Sequence, residues 1–330
     1  MIVLGIETSC DETSASIVKD FKVLSNVVKT QSIHIEYGGV VPDLASKDHE
    51  KKILNVVNAS LKEADVCLSD IDAVAVTYGS GLLGSLIVGL NFAKGLCVGL
   101  DVPLIGVSHL VGHLSSSFIN KEIFYPHLSL IVSGGHTQIW LVKSSHEYNV
   151  IANTVDDAAG EAFDKGARIL GLSYPGGPEI EKKSKNGDPD KYVFTIPEVK
   201  QNPLNFSFSG LKTALLYKKK ELDQFKGYHI SDLAASYQHA IIKTLLVKLE
   251  RAIMEYKISN ITIVGGVSAN LYFRESAKDL EQKHNLRIIF PDMEYCTDNA
   301  AMIAMAGYLQ LKDKKYSDLT IEANPNIVYN

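Results

Sequence analysis

Short apolar runs alternate along this chain with longer stretches of helical periodicity, and the alternation has an internal repeat. Residues 2–6, 15–18 and 22–28 read as three strands, because β-branched and other apolar residues fill them and polar turns bound them. A helix is predicted from about 44 to 64, where Ile53, Leu54, Val57 and Leu61 recur on one helical face. A strand over 71–77, a helix from about 84 to 99, a strand over 102–107 and a helix opening at His109 complete the first set. The second set repeats the order: strands over 127–132, 138–142 and 148–154, helices near 161–170 and 231–256, then strand 261–264, helix 270–284, strand 286–290 and helix 298–311. This repetition predicts a duplicated α/β fold of two similar lobes facing each other across a cleft. The expected boundaries are 1–125 for the N-terminal lobe, 126–297 for the C-terminal lobe, and 298–330 for a helix and tail packing back on the N-terminal lobe. Residues 171–212, rich in Pro, Gly, Lys and Asn, read as a functional loop inserted in the second lobe.

A length of 330 residues suits two cores rather than one. The formal charge of −5 excludes a protein that holds nucleic acid by a broadly basic surface, so any such contact must be a local patch or a partner's task. Cys10, Cys67, Cys97 and Cys296 form no C-x-x-C pair and read as reduced thiols. The chain opens on a strand-like run with no basic leader, and no apolar stretch of about 18–20 residues stands out. A soluble, cytoplasmic protein without membrane attachment is the expectation.

His109 and His113, four apart in a helix, share one face and can reach a single metal ion. Spacing alone fits a packed or surface polar pair as well. Asp298, before a late helix, reads either as a helix N-cap or as the third member of a His₂Asp set with open positions. The absence of H-E-x-x-H, with Leu at 110, removes the general base of a gluzincin protease; a metal here suits an anionic or carbonyl-bearing ligand better. The turn over 7–14 is richer in hydroxyls and carboxylates than a hairpin needs. In the turn from Ser133 to Thr137, Gly134 and Gly135 can offer consecutive N–H groups to phosphate oxygens. Gly265 and Gly266 lead into Asn270, an N-cap or a ligand contact, and either glycine turn can equally serve tight packing. Gly79-Ser80-Gly81 has the same two readings, and Asp164, past the first turn of its helix, can accept from a ligand hydroxyl.

Taken in order, Gly5 to Thr13, Tyr37-Gly-Gly-Val-Val-Pro42, the His109/His113 pair, Val132-Ser-Gly-Gly-His-Thr137, Asp156 to Lys165, Tyr174-Pro-Gly-Gly-Pro178, Phe206 to Lys212, Gly265 to Asn270 and Cys296 to Met302 resemble the TsaD family. These are the tRNA N6-adenosine threonylcarbamoyltransferases, formerly called O-sialoglycoprotein endopeptidases, and the likeness is to the bacterial or organellar branch. The resemblance implies the actin/Hsp70/sugar-kinase (ASKHA) fold. It implies transfer of threonylcarbamoyl from threonylcarbamoyl-AMP to N6 of the adenosine beside the anticodon, in tRNAs reading codons that begin with A. It implies one divalent metal ion, Fe²⁺ first and Zn²⁺ second, on His109, His113 and Asp298. Ile131, Val132, Ser133, Gly134, Gly135, Asp164, Gly177, Glu181 and Asn270 are expected to hold the adenylate, with Asp11 and Glu12 assisting transfer. Expected partners are tRNA, a TsaB-like paralogue forming a heterodimer, and a TsaE-like ATPase. The chain departs from the family's habit at Val111, where an acidic residue is common, at Gly79-Ser80-Gly81 in place of Gly-Pro-Gly, and at Glu181, where the family usually has Asp or a varied residue. The competing expectations are an ATP-dependent kinase or carbamoyl transferase of the same fold, and a non-catalytic nucleotide-binding scaffold.

Overall fold

The computed structural model describes residues 1–37, 39–224 and 227–329, so Gly38 of the Tyr37–Pro42 motif and Asn330 of the tail lie outside the described residues. The chain divides into two compact units, one of residues 1–123 with 291–329 and one of residues 124–290.

In the first unit, β1 (Ile2–Glu7), β2 (Glu12–Lys19) and β3 (Lys22–Thr30) form an antiparallel meander. Asp20 and Phe21 make its second turn at φ 49° and 68°, the left-handed pair that matches the twist of a two-residue hairpin. Phe21 meets Tyr308 edge to face at 4.6 Å, which holds an aromatic residue in an unfavourable backbone state. After α1 (His34–Tyr37) and α2 (Pro42–Ala64), β4 (Ala73–Gly79) pairs parallel with β1, and α3 (Leu83–Leu100) leads to β5 (Leu104–Ser108), parallel to β4. The sheet order is β3-β2-β1-β4-β5. α4 (His109–Ser116) begins where β5 ends.

The second unit repeats this plan. β6 (His127–Val132), β7 (Thr137–Ser144) and β8 (Glu147–Asn153) form a meander; β9 (Asn260–Val264) and β10 (Arg287–Ile289) join in parallel, giving β10-β9-β6-β7-β8. The inserted helices are α5 (Ala159–Leu170), α6 (Gly176–Ser184), α7 (Ser209–Leu222), α8 (Ile230–Tyr256) and α9 (Leu271–His284). Read from opposite ends, the two sheets have one topology, so the duplication seen in the sequence is a duplication of structure.

Helix α10 (Ala300–Lys312) belongs to the first unit and packs on β1, β2, β4 and α4. It is apolar nearly all round, as a helix enclosed by its own core must be. Two glycines allow this approach: a Cβ on Gly5 would stand 2.5 Å from Ala300 O, and one on Gly307 2.3 Å from Ala75 Cβ. The tail beyond α10 runs back along the sheet, with Ser317 N donating to Leu104 O and Asn324 N to Tyr78 O.

Three sequence expectations change. The 171–212 segment is not a loop throughout, since α6 and the first turn of α7 lie in it. The N-cap of α10 is Asn299, not Asp298. An apolar stretch of 18 residues does exist, α3, with mean hydropathy 1.6 and Lys94 its one charge. Its buried face, Leu86, Gly89, Leu90, Ala93 and Cys97, is part of a folded core with α2 and β4.

Candidate metal centre and glycine-turn site

His109 is the first residue of α4 and His113 follows one turn later, with ring centroids 4.7 Å apart and planes at 80°. Asp298 Oδ1 lies 3.5 Å from His109 Nε2 and 3.2 Å from His113 Nε2. Asp298 is spared capping duty because Asn299 Oδ1 accepts from Met302 N, while Ser14 Oγ and Asn26 Oδ1 accept from Ala300 N and Ala301 N. One donor atom from each of the three residues falls within 4.8 Å of the others.

Glu7, the last residue of β1, stands behind His109 and is completely buried. Its Oε1 accepts from Ser9 N; its Oε2 accepts from Thr77 Oγ1 at 2.7 Å and lies 3.2 Å from His109 Nδ1. Ser9 Oγ is 3.1 Å from the same ring nitrogen. A carboxylate only accepts, so His109 carries hydrogen on Nδ1 and turns Nε2 toward Asp298 and His113. Burial opposes the charge on all three groups, yet their mutual attraction outweighs it. His109 is held well above the usual imidazole range by Asp298 and Glu7, Asp298 well below the carboxylate range by His109 and then His113, and Glu7 below it by His109.

The donor set fits a metal ion on a second ground. His113 Nδ1 is buried without a hydrogen-bond partner, and its Nε2 meets the Asp298 carboxylate at 3.2 Å without hydrogen-bond geometry, an arrangement that a cation between the two would relieve. Two imidazoles and one carboxylate, with one imidazole backed by a second carboxylate, match a transition-metal site with open positions.

Asp11 and Glu12 lie in the β1–β2 turn and at the start of β2. Burial, then Asp298 and Asp11, push the Glu12 carboxyl up to about 10, so it keeps its proton at neutral pH. Burial and the same acids raise the Cys10 thiol, which is therefore no thiolate nucleophile. Buried His49 on α2 holds this turn: its Nε2 donates to Cys10 O at 3.0 Å, and its Nδ1 accepts from Thr13 Oγ1 at 2.8 Å. Burial keeps His49 neutral, which this tautomer requires. Gly79 and Gly81 serve packing: a Cβ on Gly79 would stand 2.0 Å from Asn324 O, and one on Gly81 2.6 Å from Ser9 O.

In the second unit the Ser133–Thr137 turn joins β6 to β7, closed by Ser133 N donating to His136 O. Gly134 and Gly135 are exposed, with open space where a Cβ would stand. Ile131 and Val132 are fully buried, so their side chains belong to the core and only their backbone can meet a ligand. Gly160 of α5 donates to Ser133 O, and Gly265, at φ +93°, comes so close to Val132 that a Cβ would stand 2.5 Å from its carbonyl oxygen. Asp164 Oδ1 accepts from Gly176 N at 2.7 Å; burial raises its carboxyl. Glu181 Oε1 accepts from Leu271 N at 2.8 Å. Asn270 caps α9 through Phe273 N and donates to Gln238 Oε1 at 2.8 Å. Gly177 is open on its Cβ side. These contacts join the β6 turn and the starts of α5, α6 and α9 into one network. The roles of Glu7, Thr77, His49 and Gln238 were missed in the sequence; a carboxylate closing a buried apolar strand was the available signal for Glu7.

The topology is that of the duplicated actin, Hsp70 and sugar-kinase fold, and its first unit carries a His₂Asp cluster able to hold one metal ion. Solved structures agree on the fold: full-length HypF in its phosphate- and nucleotide-bound form aligns with 96% of this chain and 47% of its own, at a TM-score of 0.64 and 13% identity. The likeness thus spans about half of HypF. Component A of (R)-2-hydroxyglutaryl-CoA dehydratase from Acidaminococcus fermentans aligns over 94% of this chain and 99% of its own, at 0.58 and 14%. Residues 22–305 match the TsaD family, tRNA N6-adenosine threonylcarbamoyltransferase, and the chain belongs to that family. Proteins with that name from Thermosipho africanus and Christiangramia forsetii are 51% and 46% identical to it, over 99% and 97% of this chain and 99% and 96% of theirs.

Proposed function

We propose that this enzyme moves threonylcarbamoyl from threonylcarbamoyl-AMP to N6 of adenosine 37, next to the anticodon, in tRNAs reading codons that begin with A. The observation that carries the reading is the near-full-length likeness of 51% to a tRNA N6-adenosine threonylcarbamoyltransferase. His109, His113 and Asp298 hold one divalent ion, for which Fe²⁺ suits the nitrogen and oxygen donors, with Zn²⁺ the second fit. Bound there, the ion supplies positive charge for the threonyl carboxylate and for the oxygen that gains charge during transfer.

The adenylate is assigned to the second unit. The N–H groups of Gly134 and Gly135 face its phosphate, with Ile131, Val132 and Ser133 supplying backbone and turn. Asp164 and Glu181 each spend one oxygen on a helix start and keep the other for a ribose hydroxyl. Gly177 and Asn270 complete the set. In the transfer, the N6 lone pair attacks the carbamoyl carbon and a C–N bond forms; the bond from that carbon to the phosphate oxygen breaks, and AMP leaves with the electron pair. Asp11 and Glu12, at the β1–β2 turn, assist the transfer, with one of these carboxyls taking the N6 proton. Because a conjugated exocyclic amine is a poor nucleophile, positioning carries most of the rate.

The tRNA patch is assigned to Lys182, Lys183, Lys185 and Lys218 to Lys220, with a cytoplasmic site of action. The exposed apolar side chains Leu54, Leu83, Ile87 and Val98 on α2 and α3 suit a TsaB-like partner, and a TsaE-like ATPase completes the assembly. The test is transfer of labelled threonylcarbamoyl from preformed adenylate to unmodified tRNA, with and without partners. Modified adenosine from the wild type but not from His109→Ala supports the assignment; ATP turnover on another acceptor with no modified tRNA overturns it.

A further inference from the structure

The most fully satisfied buried carboxylate among the described residues near the cluster is not one of its three members. Glu7 receives three donors: Ser9 N on Oε1, and Thr77 Oγ1 and the His109 Nδ1–H on Oε2. Thr77 and Glu7 are both 0% exposed, so no water can replace either bond. The backbone is fixed as tightly. β1 and β4 pair in register from Val3↔Ala73 to Ile6↔Val76, which sets Glu7 beside Thr77. Leu82 N donates to Ser9 O, and a Cβ on Gly81 would strike that oxygen, so the Ser9 turn cannot swing away.

We infer that Glu7, itself fixed by Thr77 and Ser9, is a positioning residue: it locks His109 in the Nδ1–H tautomer and aims Nε2 at the metal position. The inference rests on the reading that His109, His113 and Asp298 hold a metal. His113 has no comparable support, since its Nε2 faces Asp298 at 3.2 Å but its Nδ1 makes no hydrogen bond. The precision of the site therefore resides on the His109 side. A glutamine at position 7 keeps the volume and loses the function, because an amide presents one acceptor oxygen and sets an NH₂ against either the His109 or the Ser9 donor.

The experiment is titration of metal-free protein with Co²⁺, read by its ligand-field absorption, with folding followed by circular dichroism. Glu7→Gln is expected to weaken Co²⁺ binding about 10–100-fold, and to weaken it no further when His109 is already Ala. Additive losses in the double variant, or unchanged affinity in a folded Glu7→Gln protein, overturn the inference. If Glu7→Gln does not fold, Thr77→Val replaces it; a several-fold loss that vanishes in the His109→Ala background supports the proposal, and no loss defeats it. Failure of the metal reading is separate: then wild type does not bind Co²⁺ stoichiometrically, or His109→Ala binds as well as wild type.

Discussion

The two units share a strand order, yet the turn after the first strand of each does opposite things. In the first unit, Glu7 and Ser9 turn charge and hydroxyl inward onto a buried histidine. At the matching place in the second, Gly134 and Gly135 carry no side chain and face open space. Side chains able to bind a ligand in the second unit are half spent on the protein itself: Asp164, Glu181 and Asn270 each secure the start of a helix. One topology thus presents charged side chains at one strand end and bare backbone at the other, because the turn residues decide what is presented there.

That contrast breaks most sharply at the first unit. His113→Ala removes a donor and leaves a cavity where a fully buried ring stood, so unfolding should show a loss of about 2–5 kcal/mol in a protein that still folds by circular dichroism. Transfer should fall by more than the about 10–100-fold that loss of a supporting partner costs, measured as labelled threonylcarbamoyl reaching tRNA. Near-normal transfer with intact metal content would remove His113 from the cluster.

The glycines of the second unit should separate by role. Gly265→Ala must hold a side chain at φ +93° against Val132 O, and should cost at least about 1–3 kcal/mol in denaturant unfolding. Gly135→Ala meets no atom within 4 Å and takes no left-handed φ, so stability should stay within about 0.5 kcal/mol. Its KM for the adenylate should nonetheless rise about tenfold, or about 1.4 kcal/mol. An unchanged KM would mean that this turn does not face the phosphate.

Legibility in the sequence follows the same physics. Strands β1 to β10 announce themselves because short apolar runs between polar turns have few other uses, even where, as in β3, β8 and β10, they are only partly buried. Helix α6 stayed hidden, since its buried positions are Gly176, Ile180 and Ser184: the four-residue spacing is there, but one apolar side chain carries it, and a Gly-Gly-Pro start looks like a loop. The histidine pair is legible because four residues make one turn. Asp298 is one residue short of the cap it imitates, and only the placement of Asn299, Ser14 and Asn26 shows that it is free for another task. Glu7 was visible only as part of a polar turn, because its partners come from β4 and α4, 70 and 102 residues away.

The smallest expected effect concerns how the second unit anchors its inserted segment, where exposed carboxylates do what buried Glu7 does in the first. Glu198 grips Arg251 with both oxygens and Lys248 with one; these hydrogen bonds, Arg251's first, hold its carboxyl down to about 2 from 4.5. Asp156 is also lowered: burial works against it, but Ser207 Oγ, Phe208 N and Ser209 outweigh that at the start of α7. A carboxyl depressed by folding adds stability that is full above its unfolded value and is lost as pH falls through its folded value. Between pH 4.5 and about 2, residues 185–209 should therefore lose amide-exchange protection, corrected for intrinsic rate, while β6 and β9 keep theirs. Both carboxylates are substantially exposed, so the change should stay local, with little shift in global unfolding. Glu198→Gln should show the loosened segment already at neutral pH, because the fully buried Lys248 ammonium then keeps the Pro203 carbonyl but loses its ion pair. Equal protection at pH 3 and pH 6, with the variant indistinguishable from wild type, would show that the segment is held by its apolar contacts with the core rather than by these charges.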